Sequence, residues 1–388
     1  MKKLYLLFLT VMPLLSFSQV NLVPNPSFED KIVCPNGVGQ IDSCQKWFNP
    51  TMGSPDYYNS CASTIQADVP LNVNGYQYAR TGEAYAGIFI YLSNLADERE
   101  YIEVKLTESL VTGKEYCISF YVSYSDAISL ASSRLGAYVS SDSILQNNSN
   151  VLNEQPQVEN PYGLFITDSV NWKLISGHFT AAGGEKFLTI GNFYPDALTD
   201  TLRLIQSAIS SVSYYIDDVS LVEMTYDVAN AGSDTTICNG IPAMLGAPAC
   251  NGCIYSWSDP NGVISSFAQP VVTPDTTTTY ILYMHDTSTG TLCEYFSTDE
   301  VTITVNDCQL PPPNIFTPNN DGINDAFIIV NLPPQSKLVV FNRWGSEVFS
   351  SSNYDNKWQG DNLADGVYYY ILKTEKGETY KGYVQIFR

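Results

Sequence analysis

Short runs in which apolar and polar residues alternate with period two dominate the chain. EYIEVKL (residues 100–106) and YIDDVSL (215–221) show the alternation most cleanly, the pattern of strands with one buried face. EAYAGIFIYL, EYCISFYVSYS, LGAYVSS, WKLISGHFTA and KFLTIGNFY read as further strands, and SYYIDDVSLVEM closes the series. Gly113 and the Gly183-Gly184 pair punctuate them as turns. Seven or more short strands over residues 20–226 predict a β-sandwich, specifically a jelly roll. Residues 201–210 read as a loop or a short helix. A loop-rich, cysteine-bearing stretch, CPNGVGQIDSCQKWFNPTMGSPDYYNSC, precedes the strands.

Residues 227–307 form a second unit of short Thr/Val/Tyr strands with turns at Asn251-Gly252 and Asn261-Gly262. Its lone Trp257 is expected between two sheets. It looks like an immunoglobulin-like sandwich of the kind used as a spacer in bacterial surface proteins. Residues 308–313 end in Pro311-Pro312-Pro313, a stiff extended linker. The last segment, 314–388, is again strands and tight turns, and predicts a small third sandwich. The fold class is therefore all-β throughout.

The composition fits strands: 44% hydrophobic, 13% aromatic and only 15% charged, with 27 Tyr. The 19 Lys and Arg face 40 Asp and Glu, a formal charge of −21. A field of that sign repels phosphate backbones and argues against nucleic-acid binding. It serves solubility, or some of the carboxylates hold Ca²⁺ outside the cell.

The first residues, MKKLYLLFLTVMPLLSFSQ, set two lysines before an apolar run with small residues at Ser16 and Ser18. This is a secretory signal peptide over residues 1–18, too short for a spanning helix. No later run is long and apolar enough to span a bilayer. Nine Cys in an exported chain read as disulfides. Their pairing is open, and the odd count leaves one thiol over. Cys250-Asn-Gly-Cys253 is read as structural rather than redox-active or zinc-binding, because no second CxxC exists and His178 and His285 are the only histidines.

NIFTPNNDGINDAF, FNRWGSEVF and WQGDNLADGVYYYI occur in that order in the last segment. Together they resemble the gliding-motility-associated C-terminal domain, the type B sorting domain of the type IX secretion system in Bacteroidetes. The matching residues are Arg343, Trp344, Gly345, Trp358, Gly360, Asp365, Gly366 and Tyr368. The resemblance implies recognition at the outer-membrane translocon and attachment machinery, and delivery to the cell surface or the medium. Trp344 and Trp358 are expected as core anchors. Asn319, Asp321 and Asp325 space oxygen donors around Gly322, which suits either a Ca²⁺ site or an Asx-rich turn.

The opening NLVPNPSFE and the closing YYIDDVSL look like the ends of galactose-binding-like jelly rolls, the fold of several carbohydrate-binding modules. That resemblance implies a structural Ca²⁺ held by Glu29 and Asp217, with Asp218 beside them. It also implies glycan binding. Trp47, Tyr57, Tyr58, Tyr76, Tyr78 and Arg80 lie in loop-like stretches and are the candidate sugar contacts; packing of a core and a disulfide loop is the competing reading. No G-x-S-x-G, HExxH or phosphate loop is present, and the chain is read as non-enzymatic. Five Asp-Ser/Thr triplets, at Asp142, Asp168, Asp200, Asp234 and Asp275, resemble the O-glycosylation triplet of Bacteroidetes exported proteins.

Overall fold

A computed structural model describes residues 19–206, 210–287, 291–306, 312–375 and 377–388. The signal peptide, Cys308 and most of the linker lie outside these residues. Almost every element is a strand, and none of the described helices is long and apolar enough to cross a membrane. The chain divides into two compact units. One holds the residues up to Val228 with Cys250–Ile254 and Met284–Ser297; the other holds Ala229–Ala249, Tyr255–Tyr283 and Thr298–Arg388.

In the first unit two sheets face each other. The five-stranded sheet runs Trp47–Phe48, Ile102–Lys105, Phe187–Gly191, Gly136–Ser140, Val158–Glu159. The larger sheet runs Lys173–Thr180, Glu115–Tyr124, Ser211–Glu223, Ala84–Leu92, Asp56–Asn59, with Leu130–Ala131 and Leu202–Arg203 attached. From Ala84–Leu92 to Ile102–Lys105 to Glu115–Tyr124 the chain steps from one sheet to the other and back, the winding of a jelly roll.

Alternation sorts the side chains. Along Ser211–Glu223, Val212, Tyr214 and Ile216 enter the core between the sheets with Phe28, Ile88 and Phe120. Ser213, Tyr215 and Asp217 point the other way. The register shifts between Asp217 and Ser220, and Asp218 takes φ 48° there, as a bulged strand does. The alternation misleads at Glu103. It is fully buried on the face expected to meet water, where Ser143 and Thr189 donate hydrogen bonds to its carboxylate. Residues 201–206 contain the two-residue strand Leu202–Arg203 rather than a helix.

In the middle segment Trp257 is completely buried with Leu245, Tyr280 and Ile303, and its indole N–H donates to the Phe267 carbonyl at 3.0 Å. A five-stranded sheet and the pair Ala243–Met244 with Val271–Val272 supply the two layers.

The tail has one five-stranded sheet, ordered Ile315–Phe316, Thr379–Ile386, Gly366–Lys373, Lys337–Phe341, Glu347–Ser351. Its second layer is irregular chain bearing Phe327, Ile329, Tyr354 and Trp358, which pack on Tyr368, Tyr370 and Leu372. Trp358 is the anchor expected. Trp344 is not: it stands 77% exposed at a hairpin tip under the Arg343 guanidinium, because the Asn342–Ser346 turn carries it beyond the sheet.

Candidate functional site

The cysteine-bearing loop closes on itself through Cys34–Cys61. The segment that follows, residues 60–83, lies over the outer face of the larger sheet. Beneath it Tyr58, Tyr85 and Tyr215 are fully buried with Ala67. Each buried hydroxyl finds an acceptor: Tyr58 donates to Asp56, Tyr85 to the Gln77 carbonyl and Tyr215 to Asn72. A buried phenol costs little when its O–H is bonded in this way.

This arrangement divides the six candidate sugar contacts. Trp47, Tyr57 and Tyr58 are 0–2% exposed and are core residues. The Trp47 ring packs on Phe28 at 4.8 Å and its N–H donates to the Asn25 carbonyl. Tyr57 donates to the Phe28 carbonyl. The sugar-contact reading is corrected for these three, since none of them can reach a ligand.

Tyr76, Tyr78 and Arg80 are exposed, and the fold pairs the two tyrosines. The Tyr76 and Tyr78 rings meet edge to face at 5.5 Å, with their hydroxyls 3.0 Å apart. Trp172, half-buried, donates its N–H to the Tyr78 carbonyl at 3.0 Å. The Arg80 guanidinium lies 3.4 Å over the Tyr121 ring. Trp172 and Tyr121 were not singled out in the sequence, because both sit in predicted strands some distance along the chain. The alternation of EYCISFYVSYS does place Tyr121 opposite Phe120 and Val122, hence on the outer face.

Glu29, Asp217 and Asp218 converge on the same loop. Glu29 accepts hydrogen bonds from the amides of Glu83 and Ala84. Asp217 accepts from the amides of Arg80, Thr81 and Asp218. Burial, then the adjacent Asp218, push Asp217 up to about 8. Burial works against Asp218 as an anion, but hydrogen bonds from Ser27, Thr81 and Arg80 hold it below its ordinary range. The carboxylates thus face N–H and O–H donors of the loop. Among the described residues these three carboxylates do not gather their oxygens closely enough to share one ion.

In the tail, Asp325 accepts from the amides of Asn319, Asn320 and Gly322, and Asp321 from that of Ile323, the bonding of an Asx-rich turn. Cys250 and Cys253 are joined, as are Cys117 and Cys293, and Cys238 is also disulfide-bonded. The thiol left over is Cys44, buried beside the Phe28 and Asp30 carbonyls. Of the Asp-Ser/Thr triplets, Thr201, Thr235 and Thr276 are exposed, whereas the Ser143 hydroxyl is bonded to Glu103.

The matching tail residues take structural places. Gly360 has φ 69°, and a Cβ there would lie 2.5 Å from Ile386. Asp365 pairs with Arg388 at 3.0 Å next to the turn at Gly366. Tyr368 packs inward and donates to the Ala364 carbonyl. A family model described as the CHU_C type IX secretion signal domain matches residues 310–386. Those residues are a type IX secretion signal domain. The secretion signal domain sends the protein to the cell surface or the extracellular space, and the type IX machinery is its partner.

No curated protein matches the chain in sequence. Among solved structures, the adhesin domain of Epf from Streptococcus pyogenes is 9% identical over 74% of this chain and 98% of its own, with a TM-score of 0.24. SGBP-B of the Bacteroides ovatus mixed-linkage glucan utilization locus, in complex with a mixed-linkage heptasaccharide, is 10% identical over 41% of this chain and 44% of its own, with a TM-score of 0.16. The M60 catalytic domain of Clostridium perfringens ZmpB with its CBM51-1 and CBM51-2 domains is 9% identical over 89% of this chain and 35% of its own, at 0.23. At TM-scores this low, these likenesses assign neither fold nor ligand to this chain.

Proposed function

We propose that the first module is a non-enzymatic binding module for glycan or another extracellular polymer, delivered to the surface by the secretion signal domain. The observation that carries this reading is two exposed contacts on one short segment, the Tyr76–Tyr78 ring pair and, two residues on, Arg80 over the Tyr121 ring. Tyrosine faces stack on the C–H faces of sugar rings, and a guanidinium fixed over a ring donates to hydroxyls. The platform is held from beneath by Asp217 and Asp218, which fix the backbone and side chain of Arg80.

The test is a glycan array with the full chain, followed by titration of any hit. Tyr76→Ala with Tyr78→Ala should weaken binding by about tenfold or more, as loss of paired aromatic contacts does, with the melting temperature unchanged. Silence across the array would favour a structural or adhesive surface component without a small ligand. Turnover of a polysaccharide would overturn the non-enzymatic reading. A Ca²⁺ ion at Glu29 and Asp217 would have to displace the amide donors described above. A melting temperature that rises with Ca²⁺ and falls with chelator would establish it.

A further inference from the structure

The secretion signal domain buries one face of its sheet and leaves the other open. Antiparallel sheets with one solvated face ordinarily make that face polar. This one is not. Phe341, Tyr369 and Tyr383 are direct cross-strand partners on three adjacent strands. Tyr369 and Tyr383 are about half exposed. Val339 and Ile371 form the next cross-strand pair, and Val367 lies on the other side of Tyr369, 44% exposed. Phe341, Tyr369, Ile371 and Tyr383 line an open groove of about 560 Å³ with Arg343 and Lys381.

The ionic groups around the groove have one sign. Lys337 and Lys373 are cross-strand partners at one end, Lys381 pairs with Ile371, and Arg343 stands at the hairpin. Among the described residues none of these four makes an ion pair; the tail's pairs are Lys357–Asp355 and Arg388–Asp365. Glu347 is the one carboxylate at a strand position facing the same way. The rest of the chain contrasts. Residues 314–388 hold 7 basic and 8 acidic residues, whereas residues 20–313 hold 10 basic and 32 acidic.

We propose that this open face is the docking surface read by the type IX machinery, through a receptor patch that is apolar at its centre and acidic at its rim. The proposal rests on the secretion signal assignment of residues 310–386. An acidic rim attracts the lysines and Arg343 and repels the acidic modules attached to them, so the same field selects the tail and turns the cargo away. A second copy is a poor occupant. Two-fold pairing would set the same cations against each other.

The test is export of the full chain from the cell that makes it, read as the ratio of surface and medium protein to periplasmic protein. Three variants are compared: Tyr369→Ser with Tyr383→Ser, Lys373→Glu with Lys381→Glu, and deletion of residues 314–388. All four substituted side chains point away from the core, so the melting temperature of each purified double variant should match the parent. Both should lower the export ratio by about tenfold, the effect of removing an interface hot spot. Normal export of both double variants with the deletion trapped would overturn the docking face alone. Normal export of the deletion would overturn the secretion signal reading beneath it. A parent chain that self-associates through this face, with monomeric double variants that export normally, would assign the face to a second copy and overturn the proposal.

Discussion

Trp47 and Tyr78 are both large aromatics in stretches without strand pattern, and their fates differ because of what the fold lays over them. Trp47→Ala should destabilise the first unit by about 3–5 kcal/mol, the cost of emptying a packed aromatic site, measured by urea denaturation. Tyr78→Ala should stay within about 0.5 kcal/mol of the parent. The same burial tunes acids. It raises Asp56 to about 6; burial, then Asp56, raise Glu100 to about 7; burial, then Asp218, raise Asp217 to about 8. Each therefore holds its proton more tightly folded than unfolded. Their contribution to stability is complete below about pH 4 and is lost as pH rises through 6, 7 and 8. Asp168, Asp200 and Asp218 are held down instead, and lose their contribution only as pH falls below about 4. The melting temperature should therefore fall between about pH 5 and pH 8.5; a rise across that window would contradict the assignment. None of this was legible in the residues alone. Asp56 and Glu100 carry no local mark of burial, and Trp47, Tyr57 and Tyr58 carry none that separates core from loop.

Strands were the most legible elements, because alternation is a local signal. The long runs around residues 84–92, 115–124, 173–180 and 211–223 fall where the pattern puts them. Two-residue strands such as Trp47–Phe48 and Val158–Glu159 were missed, since pairing partners far along the chain define them. Glu103 was misplaced for the same reason: the Ser143 loop that covers it is forty residues away. Disulfide pairing is non-local in the extreme. Cys117 and Cys293 are 176 residues apart in sequence and join the Glu115–Tyr124 strand to the Met284–Ser297 segment within the first unit. Cys117→Ser with Cys293→Ser should lower that unit's stability by about 2–5 kcal/mol, because so long a loop is expensive to close in the unfolded chain; calorimetry under oxidising conditions reads it. The candidate platform shows the same division. Tyr76, Tyr78 and Arg80 were visible as loop residues, but Tyr121 and Trp172 join them only through the sheet.

At the scale of the whole molecule, the three largest core clusters draw on residues 22–221, 231–303 and 316–386, and a smaller one packs Cys117, Val222 and Met224 with Cys293. The uneven charge belongs to this scale too. Residues 227–307 contain no Lys or Arg at all. Deleting residues 314–388 should leave the protein in the periplasm, assayed by fractionation. One pairing in the tail bears on how a cell uses such a signal. Thr379–Ile386 lies between Ile315–Phe316 and Gly366–Lys373, parallel to the first and antiparallel to the second. The earliest strand of the domain thus has no partner until the latest has been made. A ribosome that stalls or a transcript cut short anywhere before residue 379 yields cargo with no foldable exit tag. Export then becomes a proof that synthesis has run through Thr379–Ile386: only polypeptides that carry this strand can complete the sheet of the signal domain.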